Sequence, residues 1–391
     1  MKLKTIEKPL KTKKTGGKMK IGCVREIKDG ETRAGILPKG ASELVKLGHE
    51  VFIQSGIGGK IGIRDSSYAG AGAQIFRNAK NIWERAELIV KVKEPQPVEL
   101  KLIREHQTIF SYLYLASAPD LVKALIGKKV IAIDYGTMQT KDGSMPLQYP
   151  MSDIAGKLAV DKGAQLLQIP KIGKGILLGG SDNTSAGFVT IIGAGVVGTA
   201  AAKRAQALGA HVTVFDKNKE KLAILAEKIS SLVATFDISE QDILLEVLEK
   251  TDLLIGATLV PGALAEKSVK KKMVSKMEQG SVVVDVSIDQ GGCIETSRLA
   301  SRSRPIYIWK GIIHYCVPNM PALVGRTSTE ALTFATLPYL VKIANGKENA
   351  IINNHEIYTG VNLCMGHVTN LALAESQGLK YVPLKELLLV L

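Results

Sequence analysis

Three glycines in the segment GAGVVG follow the spacing Gly-x-Gly-x-x-Gly, which is suited to binding a phosphate group. They are Gly193, Gly195 and Gly198, and they stand directly after the apolar run VTII and directly before the helical pattern TAAAKRAQALGA. The first glycine permits a tight turn, the second lets the backbone approach a pyrophosphate, and the third lets the helix pack closely against the strand. The N-terminus of that helix then faces the negative charge. The sequence therefore predicts a dinucleotide site at this turn.

An acidic residue at the end of the next apolar run indicates which dinucleotide is bound. The run HVTVF leads to Asp216, about 20 residues beyond the glycines, where a carboxylate accepts hydrogen bonds from the ribose hydroxyls of adenosine. This favours NAD over NADP. Lys217 follows directly and is suited to attracting a 2′-phosphate, so it argues the other way. A glycine-rich turn that binds no nucleotide is the alternative, which the combination of strand, helix and acid disfavours.

Short β-branched runs alternate with longer amphipathic segments from Met19 onward, beginning with KIGCV, PKGASELVKLG and HEVFIQSG. This alternation predicts parallel sheets with helices on their faces. The later runs FVTIIGAG, HVTVFD, TDLLIGAT and SVVVDVS are almost continuously apolar, as expected where helices cover both faces of a sheet. A helical pattern begins at Ser152, which we predict to be its N-cap. The glycine-rich connection GKGILLGGSDNTSAG marks the start of a second α/β unit.

The composition is that of a water-soluble globular protein, with 391 residues of which 46% are hydrophobic and 23% charged, and the length predicts two domains. No run of eighteen apolar residues occurs, so a membrane span is not expected. Residues 1–18 hold seven lysines against one glutamate and supply about +6 of the formal net charge of +14. We expect them to form a disordered basic tail, with Met19 as an alternative start. The remaining body is only mildly basic, so nucleic-acid binding is not expected.

The four cysteines show neither metal-ligand nor disulfide spacing. The sequence contains no Cys-x-x-Cys pair and no Cys/His spacing typical of zinc, so no metal site and no disulfide framework are predicted. Reduced cysteines fit a cytoplasmic location. The four residues are Cys23, Cys293, Cys316 and Cys364.

Several segments between Met19 and the C-terminus resemble the alanine dehydrogenases, whose relatives include the nucleotide-binding first domain of proton-translocating transhydrogenases. The segments are REIKDGETRAGILP, LIVKVKEP, PMSDIAGKLA, GAGVVG with VFD, IGATLVPGA, VVVDVSIDQGG, and CVPNMPALV followed by TSTEALTFATLPYL. The resemblance implies an α/β fold of two Rossmann-like domains with parallel sheets flanking a cleft. The NAD-binding domain would be residues 147–325, and the substrate (catalytic) domain residues 19–146 and 326–391. A homo-oligomer, namely a hexamer, is also implied.

The resemblance also implies roles for individual polar residues. Arg33 in ETRAGILP and Lys93 in KVKEP would hold the carboxylate and the carbonyl of a small 2-oxo acid. These roles suit a guanidinium, which pairs with a carboxylate at two points, and an ammonium, which stabilises developing negative charge. Asp289 in SIDQGG would orient water or ammonia and help to move protons, whereas Asp285 is expected to be structural. From sequence alone a surface cation is the commoner case for each of Arg33 and Lys93, and the alternative for Asp289 is a loop carboxylate that caps a turn. Four residues are implied at the cofactor: Ser152 and Lys221 at its phosphate or adenosine groups, and Asn319 and Met320 near the nicotinamide.

The chain departs from the family at the position of the catalytic histidine. Alanine dehydrogenases carry this histidine in a segment FLHLA, and here the segment reads YLYLA, with Tyr114 at that position. None of the six histidines falls in register with it, since His106 precedes the strand and His367 lies near the C-terminus. A phenol has an unperturbed pKa of ~10, against ~6.5 for imidazole, so it acts as a base only when a cation such as Lys93 lowers that pKa.

The function implied is the reversible, NAD-dependent oxidative deamination of L-alanine to pyruvate and ammonium, with Tyr114 in place of the histidine. Three consequences of that replacement stay open: an enzyme with an alkaline pH preference, an enzyme for a different substrate, or a protein that binds NAD without fast turnover. The competing class is a nucleotide-binding, transhydrogenase-like subunit that needs a membrane partner. The expected partners are small-molecule substrates and further copies of the chain, without nucleic acid or membrane.

Overall fold

The computed structural model describes residues 17–229, 233–258 and 265–388. The chain divides into two units. The first comprises Met1–Ile27, Ala34–Met145 and Thr333–Leu391, as far as these are described, and the second comprises Lys28–Arg33 and Pro146–Leu332. Most of the predicted basic tail (1–16) and the LVPGA part of IGATLVPGA (259–263) lie outside the described residues.

Fifteen β-strands lie within the described residues. In chain order they are β1 (Lys20–Cys23), β2 (Glu50–Gln54), β3 (Gln74–Phe76), β4 (Leu88–Val90), β5 (Thr108–Ser111), β6 (Ile131–Asp134), β7 (Phe188–Ile192), β8 (His211–Asp216), β9 (Ala234–Asp237), β10 (Leu253–Gly256), β11 (Val282–Asp285), β12 (Ile306–Trp309), β13 (Ile312–Tyr315), β14 (Val361–Cys364) and β15 (His367–Val368).

Fourteen α-helices belong to the same described residues. They are α1 (Pro38–Lys46), α2 (Asp65–Gly70), α3 (Ala79–Arg85), α4 (Pro119–Gly127), α5 (Tyr149–Leu167), α6 (Val196–Ala207), α7 (Lys219–Ile229), α8 (Gln241–Lys250), α9 (Lys271–Val274), α10 (Gly325–Asn345), α11 (Lys347–Asn353), α12 (His355–Gly360), α13 (Leu371–Gln377) and α14 (Leu384–Leu388).

The sheet of the first unit has the strand order β15-β14-β6-β5-β4-β1-β2-β3. Strands β1 to β6 pair in parallel, whereas β14 and β15 are antiparallel additions at one edge. The six parallel strands follow the 3-2-1-4-5-6 order of a Rossmann sheet. The register pairs Val90 with Phe110 and Ser111 with Asp134, so the carboxyl ends of β4, β5 and β6 lie side by side.

The sheet of the second unit repeats this order as β12-β13-β11-β10-β7-β8-β9, with only β12 antiparallel to its neighbour. Its inner strands β10 and β11 are buried along their whole length. Leu253 and Ile255 of β10 pack in one cluster with Ala201 of α6, and Leu254 between them packs in another with Leu248 of α8. The predicted α/β class with two Rossmann-like sheets is confirmed.

The prediction that Ser152 caps a helix is wrong. Helix α5 begins at Tyr149, three residues earlier, and Ser152 lies inside it with its N–H donating to the carbonyl oxygen of Gln148. Pro150 explains the earlier start, because a proline in the first turn lacks only an N–H group that has no helical partner there.

Candidate active site

The glycine motif forms the turn between β7 and α6. Gly193 has a φ of +113°, which favours glycine, and a Cβ on it would lie 2.6 Å from the carbonyl oxygen of Ala257. A Cβ on Gly198 would collide with the carbonyl oxygen of Gly193, so only glycine lets α6 pack this closely. A Cβ on Gly195 would meet nothing within 4 Å. Glycine is therefore required sterically at Gly193 and Gly198, whereas the space beside Gly195 is open.

The carboxylate of Asp216 is tied to this turn. Its Oδ2 accepts a hydrogen bond from the N–H of Ala194 at 2.6 Å, and its Oδ1 accepts one from the N–H of Asn218 at 2.8 Å. Asp216 ends β8, the parallel neighbour of β7. An open glycine turn, a helix N-terminus and an acid at the next strand end are the features that hold a dinucleotide in this fold, so these residues fit such a cofactor.

Lys221 and Ser152, both predicted to contact the cofactor, lie on helices of the second unit. Lys221 is exposed in the first turn of α7, where its N–H donates to Oδ1 of Asn218 at 2.9 Å. Ser152 is half-buried near the start of α5. Their contacts with a ligand stay predictions.

Arg33 is buried in the second unit, at 3% exposure, and its guanidinium is oriented by several neighbours. Its Nε donates to Oε1 of Glu31 at 2.8 Å and its Nη2 donates to Oε2 at 2.6 Å, a two-point pairing. The same Nη2 donates to Oδ1 of Asn319 at 2.8 Å, and Nη1 lies 3.0 Å from Sδ of Met151. The guanidinium is thus held in one orientation, which favours recognition of a further planar anion.

Glu31 is a candidate functional residue that the sequence analysis missed. Its side chain is buried, and Nδ2 of Asn319 donates to its Oε2 at 3.0 Å. Burial acts to raise the pKa of Glu31, but the hydrogen bonds and charge of Arg33 outweigh it and lower that pKa to about 2. The only feature of the sequence that could have indicated the pairing is that Glu31 and Arg33 are two positions apart in ETR. That spacing does not specify the turn on which the pairing depends.

Asp289 lies on the 3-10 turn Val286–Gln290, directly after β11, and its side chain is exposed. Its Oδ2 accepts a hydrogen bond from the N–H of Asn319 at 3.2 Å. Asn319 has a left-handed backbone with φ of +56°, and the following Met320 is buried. Asn319 therefore contacts Asp289 through its backbone and Arg33 through its side chain, which brings three of the predicted site residues together.

Lys93 and Tyr114 are neighbours in the first unit. Lys93 follows β4 and is buried, whereas Tyr114 follows β5 and is 44% exposed. The Nζ atom of Lys93 lies 4.6 Å from the centroid of the Tyr114 ring, within cation–π range. The Tyr114 ring also stacks on Tyr112, with 6.0 Å between the centroids. An ammonium and a phenol, both singled out from sequence, thus lie together.

A buried ion cluster supports the segment that carries Lys93. The Oε1 atom of Glu26 accepts hydrogen bonds from the N–H groups of Val92 at 2.6 Å and Lys93 at 3.3 Å. Lys91 Nζ lies 3.2 Å from Oε2 of Glu26 and 3.1 Å from Oε1 of Glu99. Burial acts to lower the pKa of Lys91, but the two carboxylates outweigh it and raise that pKa. The cluster fixes the backbone from which the Lys93 side chain projects.

Within residues 17–229, 233–258 and 265–388, no group of three or more His, Cys, Asp or Glu side chains is placed to hold a metal ion. No helix in this part of the chain is long and apolar enough to cross a membrane. The four cysteines are buried and form no disulfide bond with one another.

Comparison with known proteins links most of the chain to one family. The family model "Alanine dehydrogenase/PNT, N-terminal domain" matches residues 22–155, and "Alanine dehydrogenase/PNT, C-terminal domain" matches residues 159–371. A protein of Methanococcus maripaludis named alanine dehydrogenase is 45% identical over 372 residues, which cover 95% of this chain and 100% of that protein. The Bacillus subtilis protein of the same name is 44% identical over 372 residues, covering 95% and 98%.

Solved structures agree with this result. One named L-alanine dehydrogenase matches with a TM-score of 0.89 at 42% identity, covering 92% of this chain and 99% of that one. A transhydrogenase from Sinorhizobium meliloti matches with a TM-score of 0.76 at 20% identity, covering 89% and 99%, and this second match shows likeness of fold alone.

Proposed function

Because the chain belongs to the alanine dehydrogenase/PNT family and is an amino-acid dehydrogenase, we propose that it converts L-alanine, water and NAD⁺ reversibly to pyruvate, ammonium, NADH and a proton. The observation that carries this proposal is the buried, oriented Arg33 guanidinium linked through Asn319 to the Asp289 carboxylate. An α-amino acid needs a cation for its carboxylate and an acid–base group for its amino end, and this cluster contains both kinds of group.

A nicotinamide coenzyme, when bound, supplies the acceptor for the hydride that leaves Cα of the amino acid. We assign its pyrophosphate to the turn at Gly193, Gly195 and Gly198, and its adenosine ribose to Asp216. The remaining contacts proposed are Ser152 and Lys221 at the phosphate or adenosine groups, and Asn319 and Met320 near the nicotinamide. NAD is proposed rather than NADP because the Asp216 carboxylate would repel a 2′-phosphate.

Replacing Asp216 by serine is expected to lower the preference for NADH over NADPH about 10-fold, because one charge-assisted acceptor for the ribose is lost and the repulsion is removed. The measurement is the ratio of the two Kd values by fluorescence titration. Asp237→Ser is the matched control, since Asp237 ends the neighbouring strand β9 and pairs with Asp216 in register. An unchanged ratio in Asp216→Ser, or an equal change in the control, would contradict the assignment.

The polar side chains are assigned to the substrate as follows. Arg33 binds the carboxylate of alanine or pyruvate, and Lys93 binds the carbonyl oxygen and stabilises negative charge on it. In the deamination direction the α-ammonium group must lose a proton before the hydride leaves. The water that then adds to the C=N bond must lose another. We assign these protons to the carboxylate of Asp289 and to the ionised phenolate oxygen of Tyr114, which stands where the family carries a histidine.

The wider assignments belong to the same proposal. They are a cytoplasmic homo-hexamer, an NAD-binding domain of residues 147–325, and a substrate domain of residues 19–146 and 326–391. They are supported by the family to which the chain belongs and by the two sheets in the Rossmann order.

Formation of NADH at 340 nm from L-alanine and NAD, scanned from neutral to strongly alkaline pH, tests the activity. The wild type is expected to be active with an alkaline optimum, because a phenol is a poor base near neutrality. Tyr114→His is expected to raise the rate at pH 7 about 10-fold, within the range attributed to general acid–base catalysis.

Tyr114→Phe is the matched variant, since it keeps the ring beside Lys93 and removes only the hydroxyl. It should lose most of the activity at every pH. Absence of alanine-dependent NADH formation in the wild type at all pH values would refute the activity. Full activity in Tyr114→Phe would instead refute the role of the hydroxyl.

A further inference from the structure

We propose that Asp134 is a positioning residue for the Tyr114 side of the site: its carboxylate fixes the backbone turn that presents Tyr114 and places a negative charge near Lys93. This inference rests on the proposed function, in which Tyr114 and Lys93 act on the substrate. It concerns the first unit alone and does not follow from any of the sequence motifs.

The geometry begins at the end of β6. Asp134 is 4% exposed, and its Oδ1 accepts hydrogen bonds from the N–H of Leu113 at 3.2 Å and of Gly136 at 2.8 Å. The N–H of Tyr114 also hydrogen-bonds to this carboxylate. Ser111, the last residue of β5, is paired in register with Asp134, which explains why the turn after β5 reaches the carboxylate. One acidic side chain thus binds two consecutive N–H groups of the turn that carries Tyr114.

That turn needs support, because Tyr114 adopts a left-handed backbone with φ of +49° and ψ of 42°. A residue with a Cβ is disfavoured in this conformation. Consecutive N–H groups in such a turn form a concave site for an anion, and the Asp134 carboxylate occupies it. Hydrogen bonds to an ionised acceptor are roughly twice as strong as neutral ones, so a charged carboxylate compensates for the backbone strain.

The second part of the role is electrostatic. Burial raises the pKa of Asp134 to about 6, although the hydrogen bonds from Gly136, Leu113 and Tyr114 and the charge of Lys93 act to lower it. The attraction is reciprocal, so ionised Asp134 favours the charged form of the Lys93 ammonium. Above a pH of about 6 the carboxylate is charged and both effects operate, whereas below it protonation weakens the bonds to the turn and removes the negative charge.

The groups that face Asp134 come from each neighbouring element. They are Lys93 after β4, the turn at Tyr114 after β5, Tyr135, which follows Asp134 in the chain, and Asn362 on β14. The Nδ2 atom of Asn362 lies 3.4 Å from Oδ2 of Asp134. Of these, only Lys93 carries a charge near neutrality.

Asp134→Asn tests the charge with little change of shape, and Asn362→Ala is the matched control. The control removes the neutral contact on the other carboxylate oxygen and leaves the bonds to Leu113 and Tyr114 in place. Asp134→Asn is expected to lower kcat for alanine about 10-fold, the scale of one lost charge-assisted hydrogen bond, with the KM for NAD unchanged. It should also remove the part of the fall in activity that protonation of Asp134 is expected to cause in the wild type below a pH of about 6. Asn362→Ala should retain that pH profile and a kcat close to that of the wild type.

A readout independent of turnover separates this inference from the proposed activity. With 3-fluorotyrosine at position 114 as the only fluorinated residue, the ¹⁹F resonance of the otherwise wild-type protein is expected to shift in a transition near pH 6. The Asp134→Asn protein should lack that transition and should still show a cooperative thermal unfolding transition, as expected of a folded protein. Loss of alanine turnover in the wild type with this ¹⁹F result intact would refute only the activity. A ¹⁹F titration unaffected by Asp134→Asn, or a change of pH profile in Asn362→Ala equal to that of Asp134→Asn, would overturn the positioning role.

Discussion

Gly195→Ala is expected to weaken NADH binding about 100-fold while leaving the protein as stable as the wild type. A methyl group at this position meets nothing within 4 Å, so the fold itself does not require glycine there. The added methyl would instead occupy the side of the turn that a pyrophosphate approaches. Losing one or two charge-assisted hydrogen bonds from backbone N–H groups, at about 1.5–3 kcal/mol each, accounts for a weakening of this size.

Gly198→Ala provides the contrast that makes this prediction specific. Its methyl would collide with the carbonyl oxygen of Gly193, so α6 must shift, and both the melting temperature and NADH binding should fall. NADH fluorescence titration and thermal unfolding of the two variants separate the effects. Normal NADH affinity in Gly195→Ala, or a loss of stability there as large as in Gly198→Ala, would argue against a pyrophosphate at this turn.

Much of the fold was predictable because its signals are local. The apolar runs of β7, β8, β10 and β11 sit where FVTIIGAG, HVTVFD, TDLLIGAT and SVVVDVS were predicted to be strands, since residues buried on both faces leave a continuous apolar pattern. The start of α5 was misplaced because a serine was favoured as the cap over Pro150 in the first turn. The antiparallel strands β12 and β14 were not anticipated, because each joins a sheet whose six parallel strands already account for the alternation of strands and helices in the sequence.

The site was predictable only where a residue resembles a family motif. Lys93 and Tyr114 were named from sequence, but the left-handed turn at Tyr114 depends on Asp134, twenty positions further along. In the same way Arg33 was named without Glu31, which orients it. Residues such as Asp134 and Glu31 support the site through contacts with segments that are distant in sequence or that are joined to them by a specific turn. The spacing of residues along the sequence does not indicate such contacts.

Arg33→Lys is expected to lower kcat/KM for L-alanine about 1000-fold with NADH affinity retained. A lysine ammonium cannot pair at two points with Glu31, bond to Asn319 and still present a planar face to a substrate carboxylate. The charge is kept but the two-point geometry is lost, and two charge-assisted hydrogen bonds of about 1.5–3 kcal/mol each correspond to a loss of this size. Steady-state kinetics with alanine and, in reverse, with pyruvate and ammonium provide the measurement. A loss below about 10-fold would remove Arg33 from the substrate site.

Glu31→Gln is the control for the orientation of Arg33, because it keeps the guanidinium and removes the charge of the carboxylate that orients it. The pH dependence of stability provides an independent check of this pairing. The pKa of Glu31 is lowered in the folded protein from 4.5 to about 2, so its stabilising contribution is complete above 4.5 and is lost as pH falls towards 2. The urea midpoint of Glu31→Gln should therefore lie below that of the wild type by a constant amount from pH 5 to 8. The gap should narrow below pH 4.5. A gap that instead widens on acidification would mean that the pair does not stabilise the charged carboxylate, and the orientation of Arg33 would then need another cause.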